Sequence, residues 1–235
     1  MKGLCVTASF LLATALIAAD NPQERLQKAT DVITDMTSSA APDKGIPHDL
    51  FDKARCVVIV PDLVKGAFVV GGEYGHGFAE CRNASGDGWG PPASFRLEGG
   101  SVGFQIGGSA TDLVMLVMNQ RGMDKLLTDK ITLGADASVA AGPIGRSANA
   151  ETDAEMTAEI LAWSRSKGLF AGIALNGATL RPDRKENEKL YGRELSSREV
   201  LMGNVRTPSM AQPLTAALDR YSDHRHEGGA ERTGH

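Results

Sequence analysis

Of the five histidines in this 235-residue chain, only His48 and His76 stand ahead of residue 224, so acid–base or zinc chemistry would have to begin with them. Neither belongs to H-E-x-x-H or to another recognised catalytic pattern. Glu73 and His76 lie near Ser85 and Asp87 in the sequence, and a hydrolytic constellation can be imagined there. In a hairpin, however, such residues ordinarily occupy the surface and the turn, so no enzyme is expected and hydrolysis ranks last among the readings. The glycine-rich segments 71–78 and 99–108 invite a phosphate-loop reading. Neither matches G-x-x-x-x-G-K-[ST] or leads from a strand into a helix start with dinucleotide spacing. Glycines recurring in strand-like sequence instead mark bulges, curvature and close backbone approach. Cys56 and Cys81 flank one stretch of such sequence. They can bridge if their strands are neighbours, and otherwise they are a pair of buried thiols. No cysteine has zinc spacing, and neither a metal nor a cofactor is expected.

The elements that must carry these residues begin after a leader. Lys2, then an apolar run from Gly3 to Ala19 closed by small residues, reads as a secretory signal peptide over 1–19, with cleavage after Ala19. The run is shorter than the ~20 apolar residues that a membrane-crossing helix needs. The mature protein is therefore expected in the periplasm or secreted, peripheral to a membrane. About 216 residues remain, enough for one well-buried core. We read 20–222 as a single domain and 223–235 as a disordered tail. The formal charge of -4 excludes a globally basic nucleic-acid binder, and any anionic ligand must meet a local basic patch.

Asn21-Pro22 opens a helix that shows Leu26, Ala29, Ile33 and Met36 on one face, and His48 to Ala54 forms another. Val57 to Val60, ended by Pro61, and Ala67 to Val70 read as two strands of a hairpin joined by a turn over Asp62 to Gly66. Leu113 to Met118, apolar on both faces, suits a central strand, with Asp112 a buried carboxylate at its threshold. Arg121 to Asp129 is helical, Leu169 to Leu175 is a strand, and Glu155 to Trp163 is open between the two. Asp183 to Tyr191 is a helix closed by Gly192, Ser196 opens a capping box with Glu199, and Pro208 to Tyr221 is a last amphipathic helix. The fold class is α+β: a curved, mostly antiparallel, glycine-rich sheet able to close toward a barrel, covered by N- and C-terminal helices.

An ordered series of blocks then stands out: Val57-Val58-Ile59-Val60-Pro61, Lys65-Gly66, Gly71-Gly72-Glu73-Tyr74-Gly75, Gly88-Trp89, Phe95-Arg96, Gly103 to Gly108, and Asp112 to Met118. Further blocks follow at Leu133 to Pro143, Lys167 to Gly172 and Tyr191-Gly192. Together they resemble the SYLF domain family from about Gln23 to Tyr221. The resemblance implies a phospholipid-binding module, here an exported, non-enzymatic envelope protein whose partner is an anionic phospholipid or a membrane surface. Actin binding, linked to eukaryotic members that often carry added modules, is not carried over and is expected to be unlikely. Nucleic acid is excluded, and a protein partner is left unknown.

An anionic headgroup needs cations converging near free backbone N–H groups, with apolar surface close by. Lys65, Gly66, Arg121, Lys125, Lys130, Arg146 and Lys167 are the candidate residues, Lys65 and Lys167 because each precedes a glycine in an expected turn. The alternative function is an envelope structural or adhesive protein that holds a protein partner, and such a role needs an exposed apolar patch or sheet edge instead.

Overall fold

The computed structural model describes residues 21–38, 45–67, 71–83, 88–101, 107–144 and 157–222. The expected leader, the expected tail, Ser85, Asp87 and Arg146 lie outside the described residues. Helix α1 (Pro22–Ser38) begins where the sequence places it, because the Asn21 side chain accepts a hydrogen bond from the Glu24 N–H at 2.8 Å. Helix α2 (His48–Lys53) follows. Then come four long strands, β1 (Cys56–Ala67), β2 (Gly71–Cys81), β3 (Ala93–Ser101) and β4 (Gly107–Val117), the last returning to pair with β1.

After α3 (Gln120–Leu126) the strands are shorter: β5 (Ile131–Thr132), β6 (Val139–Ala141), β7 (Ile160–Ser166), β8 (Leu169–Gly172) and β9 (Thr179–Pro182). Helices α4 (Arg184–Tyr191), α5 (Ser197–Met202) and α6 (Gln212–Ser222) complete the described chain. The strand order is β5-β9-β3-β2-β1-β4-β7-β6, with β8 also on β7. All pairings are antiparallel except β6 with β7, and the mixed sheet curls into a half-barrel with helices from both ends of the chain upon it.

One expectation fails in an informative way. Pro61 does not end a strand, and Asp62 to Gly66 is no turn: β1 continues through both and pairs with β2 as far as Ala67 opposite Gly71, while the rest of the expected Ala67 to Val70 strand lies outside the described residues. The register slips between Val60 and Leu63 on one side and between Ile59 and Val64 on the other. Proline is tolerated because a bulge removes the ladder position at which its missing N–H would be felt. Asp62 adopts a left-handed backbone, which aspartate accepts more readily than most residues, and its N–H is received by the Asp112 carboxylate at 3.0 Å. Gly77 backs this bend, and a Cβ there would run into the Ile59 carbonyl oxygen.

Alternation along the strands divides the core between the two faces of the sheet. Val58, Val60, Leu63, Phe95, Leu97, Met115 and Leu180 fill the inner face. Val57, Ile59, Phe78, Val114, Leu116 and Trp163 pack outward against Leu26, Ile33, Phe51, Leu214 and Leu218 of α1, α2 and α6. Each such side chain contributes about 1.5–3 kcal/mol by leaving water. Val114 and Leu116 face one way, Leu113 and Met115 the other, as a central strand requires.

Cys56 and Cys81 are directly opposite on β1 and β2 and form a disulfide. Gly192 closes α4 in the left-handed conformation that glycine adopts freely, and the Ser196–Glu199 capping box is formed from both sides. Trp163, in the segment left open between helix and strand, belongs to β7.

Candidate functional site

The outward stripe of β2 reads Tyr74, His76, Phe78, Glu80. Its second half lies beneath the helices: Phe78 and Glu80 are each 1% exposed. Among the described residues Glu80 has no hydrogen-bond partner for either carboxylate oxygen. Burial is the first cause holding its carboxyl well above the ordinary carboxylate range. The Thr215 hydroxyl, outside hydrogen-bonding geometry but close enough to favour the anion, opposes this, and the Asp219 charge adds to it.

The first half of the stripe emerges where the helical layer stops. Val64 and Tyr74 are directly opposite each other on β1 and β2 and are 56% and 49% exposed. One level further along, His76, Arg96 and Arg181 are directly opposite one another on β2, β3 and β9. Val64, Tyr74, His76 and Arg96 form the floor of a cleft of about 630 Å³, walled by Arg25 of α1, by Asp183 and by Lys185, Glu186 and Lys189 of α4, while Arg181 lies just outside it in an adjoining hollow that shares Arg96, Asp183 and Lys185.

The walls are tied to the floor. Arg25 and Glu186 form a buried ion pair at 2.6 Å, and Lys189 reaches the same carboxylate at 3.2 Å. Lys28 holds Asp62 at 3.3 Å, and Arg165 joins Asp35 of α1 to Asp112. Asp183 does two tasks. One of its oxygens accepts from the Glu186 N–H at 3.2 Å and so caps α4, while the other lies 2.9 Å from His76 Nδ1. The His76 hydrogen bond is the main cause that lowers the Asp183 carboxyl below the usual carboxylate range, helped by the Glu186 N–H and by the charges of His76 and Arg96, against the cost of burial.

With a neutral imidazole, the Asp183 carboxylate fixes the ring proton on Nδ1 and leaves Nε2, 2.7 Å from the Tyr74 oxygen, to accept from the phenol. A half-exposed tyrosine is thereby held in one orientation, with its ring toward solvent. That arrangement suits recognition: aromatic anchors flanked by charge and held rigid are what binding faces use. Glu73, which the sequence sets near His76, projects to the other face of β2 and pairs with Lys65, so these two do not meet.

The cations singled out from the sequence do not converge. Lys65 lies in β1, not in a turn, 3.5 Å from Glu73, and Gly66 is in the ladder opposite Gly72 and Gly108. Arg121 and Lys125 ride on α3 just after Val117, the residue that pairs with Cys56, nine positions before Lys65 on β1; at ~3.3 Å per residue the separation along the strand is about 30 Å. Arg121 is 3.8 Å from Glu159, and Lys125 and Lys130 lend charge to Asp136. Lys167 does occupy a tight turn, between β7 and β8, with both it and Gly168 at positive φ. Because Arg165 pairs with Asp112 and Lys65 with Ser109, Lys167 lies toward the Lys65 end of the sheet.

The basic residues that do converge on the cleft are Arg25, Arg96, Lys185 and Lys189, with Arg181 beside Arg96 at its margin, none of them anticipated as a site. The only signal for them in the sequence was Arg96 within the Phe95-Arg96 block and Asp183 as a helix start. A second and larger groove, about 1020 Å³, opens at the opposite end between Arg82, Trp89, Met118 and Met202. There Arg82 stacks 4.1 Å over the Trp89 ring and donates to the Phe51 carbonyl and the Ser222 hydroxyl, so its charge is spent on packing.

The profile of the Ysc84 family, described as Las17-binding protein actin regulator, matches residues 98–221. The SH3 domain-containing YSC84-like protein 1 of Homo sapiens is 30% identical over 207 residues, 86% of this chain and 60% of its own length. Two Saccharomyces cerevisiae proteins are similar as well: LAS seventeen-binding protein 3, 33% identical over 180 residues (75% of this chain, 39% of its own), and Protein YSC84, 32% over 195 residues (80% and 41%). The chain thus spans three fifths or less of the curated relatives it matches. These names correct the expected partner. An anionic phospholipid or membrane surface, with actin unlikely, does not stand beside relatives named for binding a protein, Las17, in a family described as regulating actin.

Proposed function

Since the chain belongs to the Ysc84 family, the SYLF family of the sequence resemblance, we propose that it is a protein-binding module that holds a polypeptide partner on the open end of its outer sheet face and carries out no chemical step. The observation that carries this reading is the pair of Val64 and Tyr74, two large side chains exposed directly opposite each other at the rim of a charged cleft, with Tyr74 held by His76. Apolar and aromatic anchors ringed by charge are the usual energetic centre of a protein interface. In this reading the work is done by fixed geometry: α1 and α4 are locked to each other by the Arg25–Glu186 pair and to the sheet by Lys28–Asp62 and His76–Asp183, so little freedom is lost when a partner docks. The Cys56–Cys81 bridge supports export to an oxidising compartment, where the partner would be met.

The test is calorimetric titration of the purified described region, residues 21–222, with Las17 polypeptide, alongside co-sedimentation with actin filaments. Binding of either, weakened tenfold or more by Tyr74→Ala with unchanged melting temperature, supports the reading. Two outcomes overturn it: undiminished binding by both Tyr74→Ala and Val64→Ser, or pelleting with phosphatidylglycerol vesicles while neither polypeptide binds.

A further inference from the structure

The row His76–Arg96–Arg181 has no structural need to exist. Side chains directly opposite on antiparallel strands stand with Cβ atoms about 4.5–5.5 Å apart, and like charges so placed are destabilising. A fold that keeps two guanidiniums side by side in one such row must neutralise them from within or from outside. From within it falls short. Glu98 serves both arginines through their Nε atoms, at 2.7 Å from Arg96 and 3.8 Å from Arg181. Both Nε atoms are buried, and neither makes a hydrogen bond. Asp183 serves His76 but spends its second oxygen on the α4 cap. Lys185, exposed above the same floor, has no ion pair among the described residues. The terminal guanidinium nitrogens of Arg96 and Arg181 are likewise without a hydrogen bond among the described residues, and these side chains are 37% and 39% exposed.

We propose that the partner seats an acidic side chain over the Arg96–Arg181 pair, next to an apolar side chain that covers Tyr74 and Val64. A carboxylate fits the planar fork of a guanidinium with two parallel hydrogen bonds, and it supplies the negative charge that Glu98 divides between two arginines. The spacing is also set. Tyr74 and Arg96 are diagonal neighbours on β2 and β3, about 7–8 Å apart, which is close to the ~7 Å between side chains i and i+2 on one face of an extended segment. The recognised element is therefore an acidic residue, a spacer and an apolar residue in extended conformation. This inference rests on the protein-binding reading above and names the chemistry of its partner.

The test uses ¹⁵N-labelled protein and two blocked peptides, Thr-Glu-Thr-Leu-Thr and Thr-Gln-Thr-Leu-Thr, followed through the arginine Nε–H resonances. The Glu peptide is expected to shift the Arg96 and Arg181 signals, with the Gln peptide at least tenfold weaker and the difference erased at high salt. R96Q and R181Q, singly and together, remove the preference for Glu while leaving the fold intact by circular dichroism. Equal binding of the two peptides, or the same shifts from inorganic phosphate at equal concentration, would overturn it. With Las17 polypeptide as probe the two ideas separate: loss on Tyr74→Ala but not in the R96Q/R181Q double variant sinks the acidic seat and keeps the docking face, whereas indifference to all three sinks both.

Discussion

The two ends of the β1–β2 ladder share a backbone and differ in almost everything else. At the Cys56 end the strands are bridged covalently, and the outer face is closed by aromatic packing: Phe51 meets Tyr221 with ring centroids 4.8 Å apart, and the Tyr221 hydroxyl donates to the Ile46 carbonyl at 2.6 Å. At the Val64 end the same face carries Tyr74, His76, Arg96 and Glu98 in an open cleft flanked by α1 and α4, held by hydrogen bonds and ion pairs at the edge of water. The bend at Pro61–Asp62 separates the two. Stability is concentrated where helices cover the sheet, and the proposed recognition lies where they stop, so substitutions at the two ends should fall into different classes of effect.

The largest effect is expected at the bend itself. Gly77→Ala forces a Cβ into the Ile59 carbonyl, and since the clash is with backbone it should cost about 3 kcal/mol or more, read as a fall in the urea midpoint. If Gly77→Ala is as stable as the wild type, the bend does not depend on close approach there. Next, Cys56→Ser with Cys81→Ser opens a 25-residue loop and should lower stability by about 3 kcal/mol without changing partner affinity. A large affinity change in that variant would mean that the two ends are coupled.

The third prediction concerns Glu80, under α6. The folded protein holds this proton more tightly than the unfolded chain, so stability is full in acid. It is lost as pH rises from the ordinary carboxylate range toward the raised folded value, by about 1 kcal/mol per pH unit. Glu80→Gln should flatten that slope and melt above the wild type at pH 7; a parallel slope with lower stability would refute it. The smallest effect on folding belongs to Tyr74→Ala, expected within about 0.5 kcal/mol of wild type because the residue is half exposed. Its consequence should show only in binding, and a cooperative loss of stability there would erase the distinction between the ends.

What could be read from the sequence was what is decided locally. The Asn21 cap, the Ser196–Glu199 box and Gly192 each depend on residues three or four apart, and all three are present as expected. The curved α+β architecture was legible because β-branched runs and recurring glycines report strand and curvature together. Pro61 misled for the same local reason: whether a proline ends a strand or sits in a bulge is settled by strand β4 and the Asp112 carboxylate, some fifty residues away. The cleft was beyond reach altogether. His76, Arg96 and Arg181 become neighbours only through the register of three strands, and no spacing in the chain announces it. Lys65 and Arg121, chosen for their local surroundings, stand at opposite ends of the sheet instead.

The pairing of α1 with α6 carries a consequence for how the molecule is made. The first and last described helices lie against each other over the outer face of the sheet, so that face can be closed only after some two hundred residues have followed the first of them. Until Ser222 has emerged from synthesis or translocation, Val57, Ile59 and Phe78 have no complete roof. The interval is long, and it favours holding factors that recognise greasy, strand-rich intermediates. Truncation at the C-terminus should thus produce insoluble protein rather than a smaller working piece, even though the strands themselves would all be present.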